Sequence, residues 1–148
     1  MKKIVVGIDG SAAAHEALEF ACDEAKLWSA DLVIVHAWHF PYASGDAFGA
    51  GMGSSASLIE QIESQAQSLL EEARVSAAAR CGDEIKVSTV LAQGSAANAL
   101  LENGKDADLI VVGSRGHGGF TSLLLGSTSH QVVHHAAGPV VVIRKPEA

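Results

Sequence analysis

Residues 108–128 read DLIVVGSRGHGGFTSLLLGST: a short apolar run, a glycine-rich stretch, and hydroxyl residues leading into a helical segment. The apolar run has the length and composition of a strand buried on both faces of a parallel sheet. Beyond it, Gly113, Gly116, Gly118, Gly119 and Gly126 all fall between 113 and 128. Glycine in such density is entropically costly, so it needs a conformational or contact reason.

The same alternation of short apolar runs and helical stripes extends over the chain. KIVVGID (3–9) is a β-branched run, and Ser11 stands where a helix N-cap would. After Ser11 come Ala14, Ala17, Leu18, Ala21, Ala25 and Trp28 at helical spacing. DLVIVHAWH (31–39) reads as a second buried strand, and 40–56, rich in Gly, Ala and Ser, as a loop. A long helix carries Leu58, Ile62, Ala66, Leu69, Leu70 and Ala73 on one side. EIKVSTVLA (84–92) is a third strand, Ser95 caps a short helix over 96–103, and DLIVVGS (108–114) is the fourth strand. A helix bearing Val132 and Val133 and a last strand, GPVVVIRK (138–145), complete the order βαβαβαβαβ.

Strands separated by helices long enough to cross over form a parallel sheet covered on both faces. The expectation is therefore a single α/β domain over 1–148, an open five-stranded parallel Rossmann-like sheet. Ligands of such sheets bind outside the carboxyl ends of the strands, near the point where strand order reverses. Asp9, Ala37 to His39, and Gly113 onward all occupy such ends.

Composition narrows the function classes. The chain has 148 residues, 48% hydrophobic and 18% charged, within the range of globular domains. Its formal net charge of −7 opposes nonspecific binding of nucleic acid, which requires a basic surface. Asp9 and Gly10 interrupt the first apolar run, and no run approaches membrane-spanning length, so neither a signal peptide nor a membrane segment is expected. Cys22 and Cys81 have neither metal nor redox spacing, which fits reduced thiols in a cytoplasmic protein.

Known phosphate-binding patterns discriminate further. A P-loop needs lysine directly after its last glycine, where this chain has Ser127. A dinucleotide fingerprint would follow the first strand, but GIDGSAAA lacks G-x-G-x-x-G. What remains is Gly113-x-x-Gly116, nine residues, then Gly126-Ser127. One reading is a pair of amide nests, the second presenting the Gly126 and Ser127 amides at a helix start that favours an anion. Ser127 and Thr128 would add hydroxyls there, and Arg115 and His117 positive charge. The other reading is structural: a turn after the strand, and a Gly126 that relieves close helix packing.

The stretch 113–128, with HQVVHHAAGPVVVIR after it, resembles the universal stress protein family. The nucleotide-binding branch of that family has the pattern G-x2-G-x9-G-[S/T], matched by Gly113, Gly116, Gly126 and Ser127. The resemblance extends to KIVVGIDGS, LVIVHAW and GPVVVIR, and implies an adenine nucleotide alpha hydrolase-like fold that binds ATP. It also implies that Asp9 lies beside the adenosine and that the backbone of Ala37 pairs with the adenine edge. Gly113, Gly116, Gly118, Gly126, Ser127 and Thr128 would then cradle ribose and phosphates, with Arg115 and His117 nearby. Asp9 has a plainer alternative, as acceptor for turn amides near Ser11. A Mg²⁺ held mainly by phosphates is compatible with this set. The resemblance further implies a homodimer paired through 138–145, and a regulatory protein that acts through a protein partner.

The chain shows no Ser–His–Asp order, no paired carboxylates on one element and no Walker-type lysine, so a binding regulator is favoured over an ATPase. A slow nucleotide-dependent enzyme and an interaction module without nucleotide remain the alternatives. His130 and His134 are four apart on a helix, which suits a zinc site or, more simply, a solvated face. His36 is expected in the core with a hydrogen bond, His39 near the site, and Trp28 and Trp38 in packing.

Overall fold

The computed structural model describes residues 2–39, 55–114 and 125–144. The chain runs β1 (Lys3–Ile8), α1 (Ala12–Trp28), β2 (Asp31–Trp38), α2 (Ser55–Cys81), β3 (Val87–Gln93), α3 (Ala96–Asn103), β4 (Leu109–Gly113), α4 (Ser127–His135) and β5 (Val140–Ile143). All strand pairs are parallel, and the five-stranded sheet has the order β3-β2-β1-β4-β5.

Strand β1 sits in the middle, and its alternation divides the core. Ile4 and Val6 point to one face and Val5 to the other, all three with 0% exposure. On the first face they join Leu32, Ile34, Leu109 and Val111 beneath α1 and α2, which contribute Ala17, Leu18, Ala21, Cys22, Leu70 and Ala77. On the second, Val5, Val35, Ile110 and Val112 pack against Ala97 and Leu100 of α3 and Val132 of α4.

The helix starts follow the expected caps. Ser11 Oγ accepts the Ala14 N–H at 3.2 Å, and Ser95 Oγ accepts that of Asn98 at 3.2 Å. Helix α1 ends at Ser29, whose left-handed φ of 52° turns the chain towards β2.

Several boundaries move. Helix α2 begins at Ser55, inside the expected loop, whose remainder, 40–54, lies outside the described residues. Strand β3 covers Val87–Gln93 rather than 84–92, because pairing with β2 opens where the Leu32 N–H donates to the Lys86 carbonyl at 2.9 Å. Strand β5 starts at Val140, not Gly138. Pro139 has no amide to give to a ladder, and only its carbonyl is used, accepting the Ile110 N–H at 3.0 Å. Strands β1, β2 and β4 each end one residue earlier than read.

The end of α2 is held to α1 in two layers. Outside, Arg80 grips Asp23 through Nε at 2.9 Å and Nη2 at 3.0 Å, and reaches Glu19 through Nη1 at 2.8 Å. Beneath lie Cys22 and Cys81, both free and buried. Burial, reinforced by the neighbouring Cys81 thiol, pushes Cys22 up to about 12 from 9.0. Burial also pushes Cys81 upward.

Two outcomes follow from these thiols. In native protein at pH 8 neither cysteine reacts with Ellman's reagent within minutes, whereas both do in denaturant. The folded state also binds the Cys22 proton more tightly than the unfolded chain. That contribution is complete below the unfolded value of 9.0 and is lost as pH rises from there towards about 12. Tm measured across this range should fall, and Cys22→Ala should flatten the fall.

Candidate functional site

Sheet order places β1 between β2 and β4. The helices that follow β1 and β4 depart on opposite faces of the sheet, α1 on one and α4 on the other, which opens a crevice at the carboxyl ends of β1 and β4. At its floor Asp9 follows β1, and Gly10, with φ of 83°, turns the chain into α1. The Asp9 Oδ1 accepts the Ser11 N–H at 2.9 Å, so this carboxylate does serve as a turn acceptor. The half-buried His36 fixes the same edge, its Nδ1 lying 2.8 Å from the Ile8 carbonyl oxygen.

Backbone alternation places Ala37. In β2 the Asp31 N–H points to β1, donating to Lys2 O at 2.9 Å, and the Leu32 N–H points to β3. Ala37 is in phase with Asp31, so its amide and carbonyl face the β1 side. The β1–β2 register ends one residue before it, at Ile8↔His36, where Gly10 turns away. The Ala37 carbonyl is therefore directed past the last rung of the ladder.

On the other side, Gly113 pairs with Ile143 as the last residue of β4. A Cβ at Gly113 would lie 2.9 Å from both the carbonyl carbon and the Cβ of Ala13, and 3.0 Å from the Ala14 nitrogen. The missing side chain thus lets the first turn of α1 rest on the end of β4. Ser114 comes next, buried, its N–H donating to Ile143 O at 2.7 Å. Its carbonyl accepts both the Gly126 N–H and the Ser129 Oγ, the latter at 2.8 Å.

These contacts correct one expectation. Gly126 is the N-cap of α4, but its amide is spent on Ser114 and is not presented to a ligand. Its φ of −75° is open to any residue, so left-handed freedom is not the reason for glycine there. Ser127, exposed, and Thr128, half-buried, form the first turn. Among the described residues no side chain caps their amides, which leaves a partly positive helix start. Arg115, Gly116, His117 and Gly118 lie outside the described residues.

Reading the sequence missed Ser114 and Ser129. Ser129 did carry a signal: a polar residue three before Val132, on the inward face of α4. Elsewhere the expected packing roles hold. Trp38 is buried, and Trp28 packs half-buried on the α1 side, with Lys2 Nζ 5.7 Å from its ring centroid. His39 is exposed. His130 and His134 stack at 6.2 Å on an exposed face of α4, and among the described residues no group of three or more His, Cys, Asp or Glu could hold a metal. Nor, among those residues, is any helix long and apolar enough to cross a membrane.

This arrangement has known counterparts. A profile of the universal stress protein family matches residues 1–144. The chain belongs to that family. A universal stress protein of Mycolicibacterium smegmatis is 39% identical over 141 residues, covering 95% of this chain and 45% of the relative. The chain thus spans about half the length of the curated relatives it matches, which are covered to 45%. The universal stress protein UspA from Lactobacillus plantarum shares the fold, with a TM-score of 0.78 at 24% identity over 97% of each chain. A universal stress protein in complex with cAMP superposes with a TM-score of 0.64 at 26% identity, covering 96% of this chain and 95% of that one.

The contact at Gly113 yields a stability prediction. Gly113→Ala meets rigid backbone and should destabilise the protein by about 1–3 kcal/mol in urea denaturation. Gly7→Ala is the comparison, since the atoms nearest its Cβ all belong to the Leu100 side chain, the first at 2.8 Å, and it should cost less.

Proposed function

We propose that this universal stress protein binds an adenine nucleotide, ATP in particular, in the crevice at the carboxyl ends of β2, β1 and β4. Its output is regulatory: occupancy of the crevice changes engagement of a protein partner in the cytoplasm. The observation that carries this reading is the convergence at one sheet edge of an unladdered carbonyl, a carboxylate and an uncapped helix start, at Ala37, Asp9 and Ser127–Thr128. Ala37 offers its backbone to the adenine edge, and Asp9 its second carboxylate oxygen to the ribose. Ser127 and Thr128 offer amides and hydroxyls to phosphate. Gly113 and Gly126 shape this edge, and Arg115, Gly116, His117 and Gly118 complete the phosphate cradle. The relative in complex with cAMP supports the ligand class. The donors here suit anions and hydroxyls, so an accompanying Mg²⁺ is held by phosphate oxygens and water.

The test is mass spectrometry of small molecules released from freshly purified protein, followed by calorimetry with added ATP. Adenine nucleotide should accompany the native protein. Gly126→Leu, which projects a side chain over the uncapped amides, should weaken ATP binding at least about tenfold, or 1.4 kcal/mol, with Tm little changed. Unchanged affinity in that variant would sink the assignment.

We also propose that the protein pairs as a homodimer through β5. Among the described residues that strand has only β4 beside it, and Val141 and Ile143 direct their backbone groups to β4, leaving those of Val140 and Val142 on the open edge. Light scattering should give twice the 15.2 kDa chain mass. Val142→Pro deletes an outward amide without touching the β4 ladder and should return the monomer.

A further inference from the structure

We propose that Ser129 is a positioning residue for ligand phosphate: its buried hydroxyl fixes the start of α4 against the end of β4 by way of the Ser114 carbonyl. This rests on the adenine-nucleotide reading above.

A serine at an inward position of a helix requires a reason, because a buried hydroxyl is costly unless hydrogen-bonded. Ser129 is 2% exposed and in phase with Val132, which has no exposure at all. Its Oγ lies 2.8 Å from Ser114 O and 3.2 Å from Gly126 O. The hydroxyl proton is thus shared between the end of β4 and the residue that opens α4. Ser114 is itself anchored, its N–H bound to the end of β5 at Ile143 O, 2.7 Å away. With the Gly126 N–H and the Ser129 O–H, both acceptor positions of the Ser114 carbonyl are filled.

The directions of these bonds matter for the site. A serine in the first turn commonly serves amides or faces solvent. Here it turns its proton to carbonyls and leaves the amides of Ser127 and Thr128 alone. The helix start is held in place while its anion-facing groups stay uncovered. Preorganised donors bind more tightly than donors that must be ordered by the ligand. Ser129 therefore acts on the phosphate end of the ligand and leaves the adenosine end, at Asp9 and Ala37, unaffected.

Removing the hydroxyl leaves no orphaned polar group, since the Ser114 carbonyl still accepts the Gly126 N–H. Ser129→Ala should consequently fold. By calorimetry it should bind ATP about tenfold more weakly than wild type and adenosine within about twofold. Ser129→Cys, close in volume but a poor donor, should behave like the alanine variant, and Ser129→Thr should recover ATP affinity. Hydrogen exchange at the Gly126 amide, followed without ligand, should quicken about tenfold in Ser129→Ala while β1 amides keep their protection. Equal losses for ATP and adenosine, or a cysteine variant that binds like wild type, would overturn the proposal by reducing Ser129 to packing. If wild type binds neither ATP nor adenosine, the nucleotide reading fails, and the exchange result shows separately whether the clamp exists. An unchanged Gly126 amide in a protein that does bind ATP would remove the clamp and keep the site.

Discussion

Complete burial of the middle of β1, Ile4 to Val6, is the constraint from which the rest of the architecture follows. Ile4, Val5 and Val6 have no exposed surface, and alternation sends them to both faces, so neither face can be left to water. Each such side chain is worth about 1.5–3 kcal/mol of burial. An exposed ion pair such as Arg80–Asp23 is screened by water and contributes far less. The core therefore sets the layers, and the ion pairs trim how α2 lies on α1. Helices have to cover both faces, and β2 and β4 have to flank β1 on either side. That is what parts the chain ends above β1 and creates the crevice.

Small residues let the crevice be built tightly. The α1 stripe Ala13, Ala14, Ala17, Ala21 and Ala25 is buried and brings the helix backbone down onto the sheet. At its first turn the approach is close enough that any side chain at the end of β4 would have to displace the α1 backbone. The same turn carries Ser11, which caps the helix and donates its amide to Asp9. Packing and placement of the carboxylate are thus one event: pushing α1 outward would loosen a core contact and shift Asp9 together.

The elements were legible because their signals are local. Unbroken apolar runs marked strands buried on both faces, and Ser11 and Ser95 marked helix starts that the structure confirms by hydrogen bonds. Strand ends were less legible, because they depend on a neighbour. Glu84–Lys86 continues the alternation of β3, yet pairing starts only where β2 supplies an amide to Lys86. At the crevice the sequence located Asp9, Ala37 and Gly113 by their place at the carboxyl ends of strands. It could not tell that the Gly126 amide is taken by Ser114, since that bond joins residues twelve apart in the sequence. Ser129 was hidden for the same reason, its partner being a carbonyl with no sequence signature.

Glycines of one motif turn out to have different physical reasons. Gly113 is required by the backbone of α1 lying where its Cβ would be. Gly126 has ordinary dihedrals, and its own amide is satisfied, so neither conformation nor a nest accounts for it. What distinguishes that position is the side chain it lacks. A serine or aspartate at an N-cap folds over the amides of the first turn and competes with any external anion. Glycine forgoes that cap at a cost of only a few tenths of a kcal/mol. In the proposed site this small loss leaves the first-turn amides of Ser127 and Thr128 to the phosphate, and Ser129, bonded backward to Ser114, supplies the anchoring that a capping side chain would otherwise give.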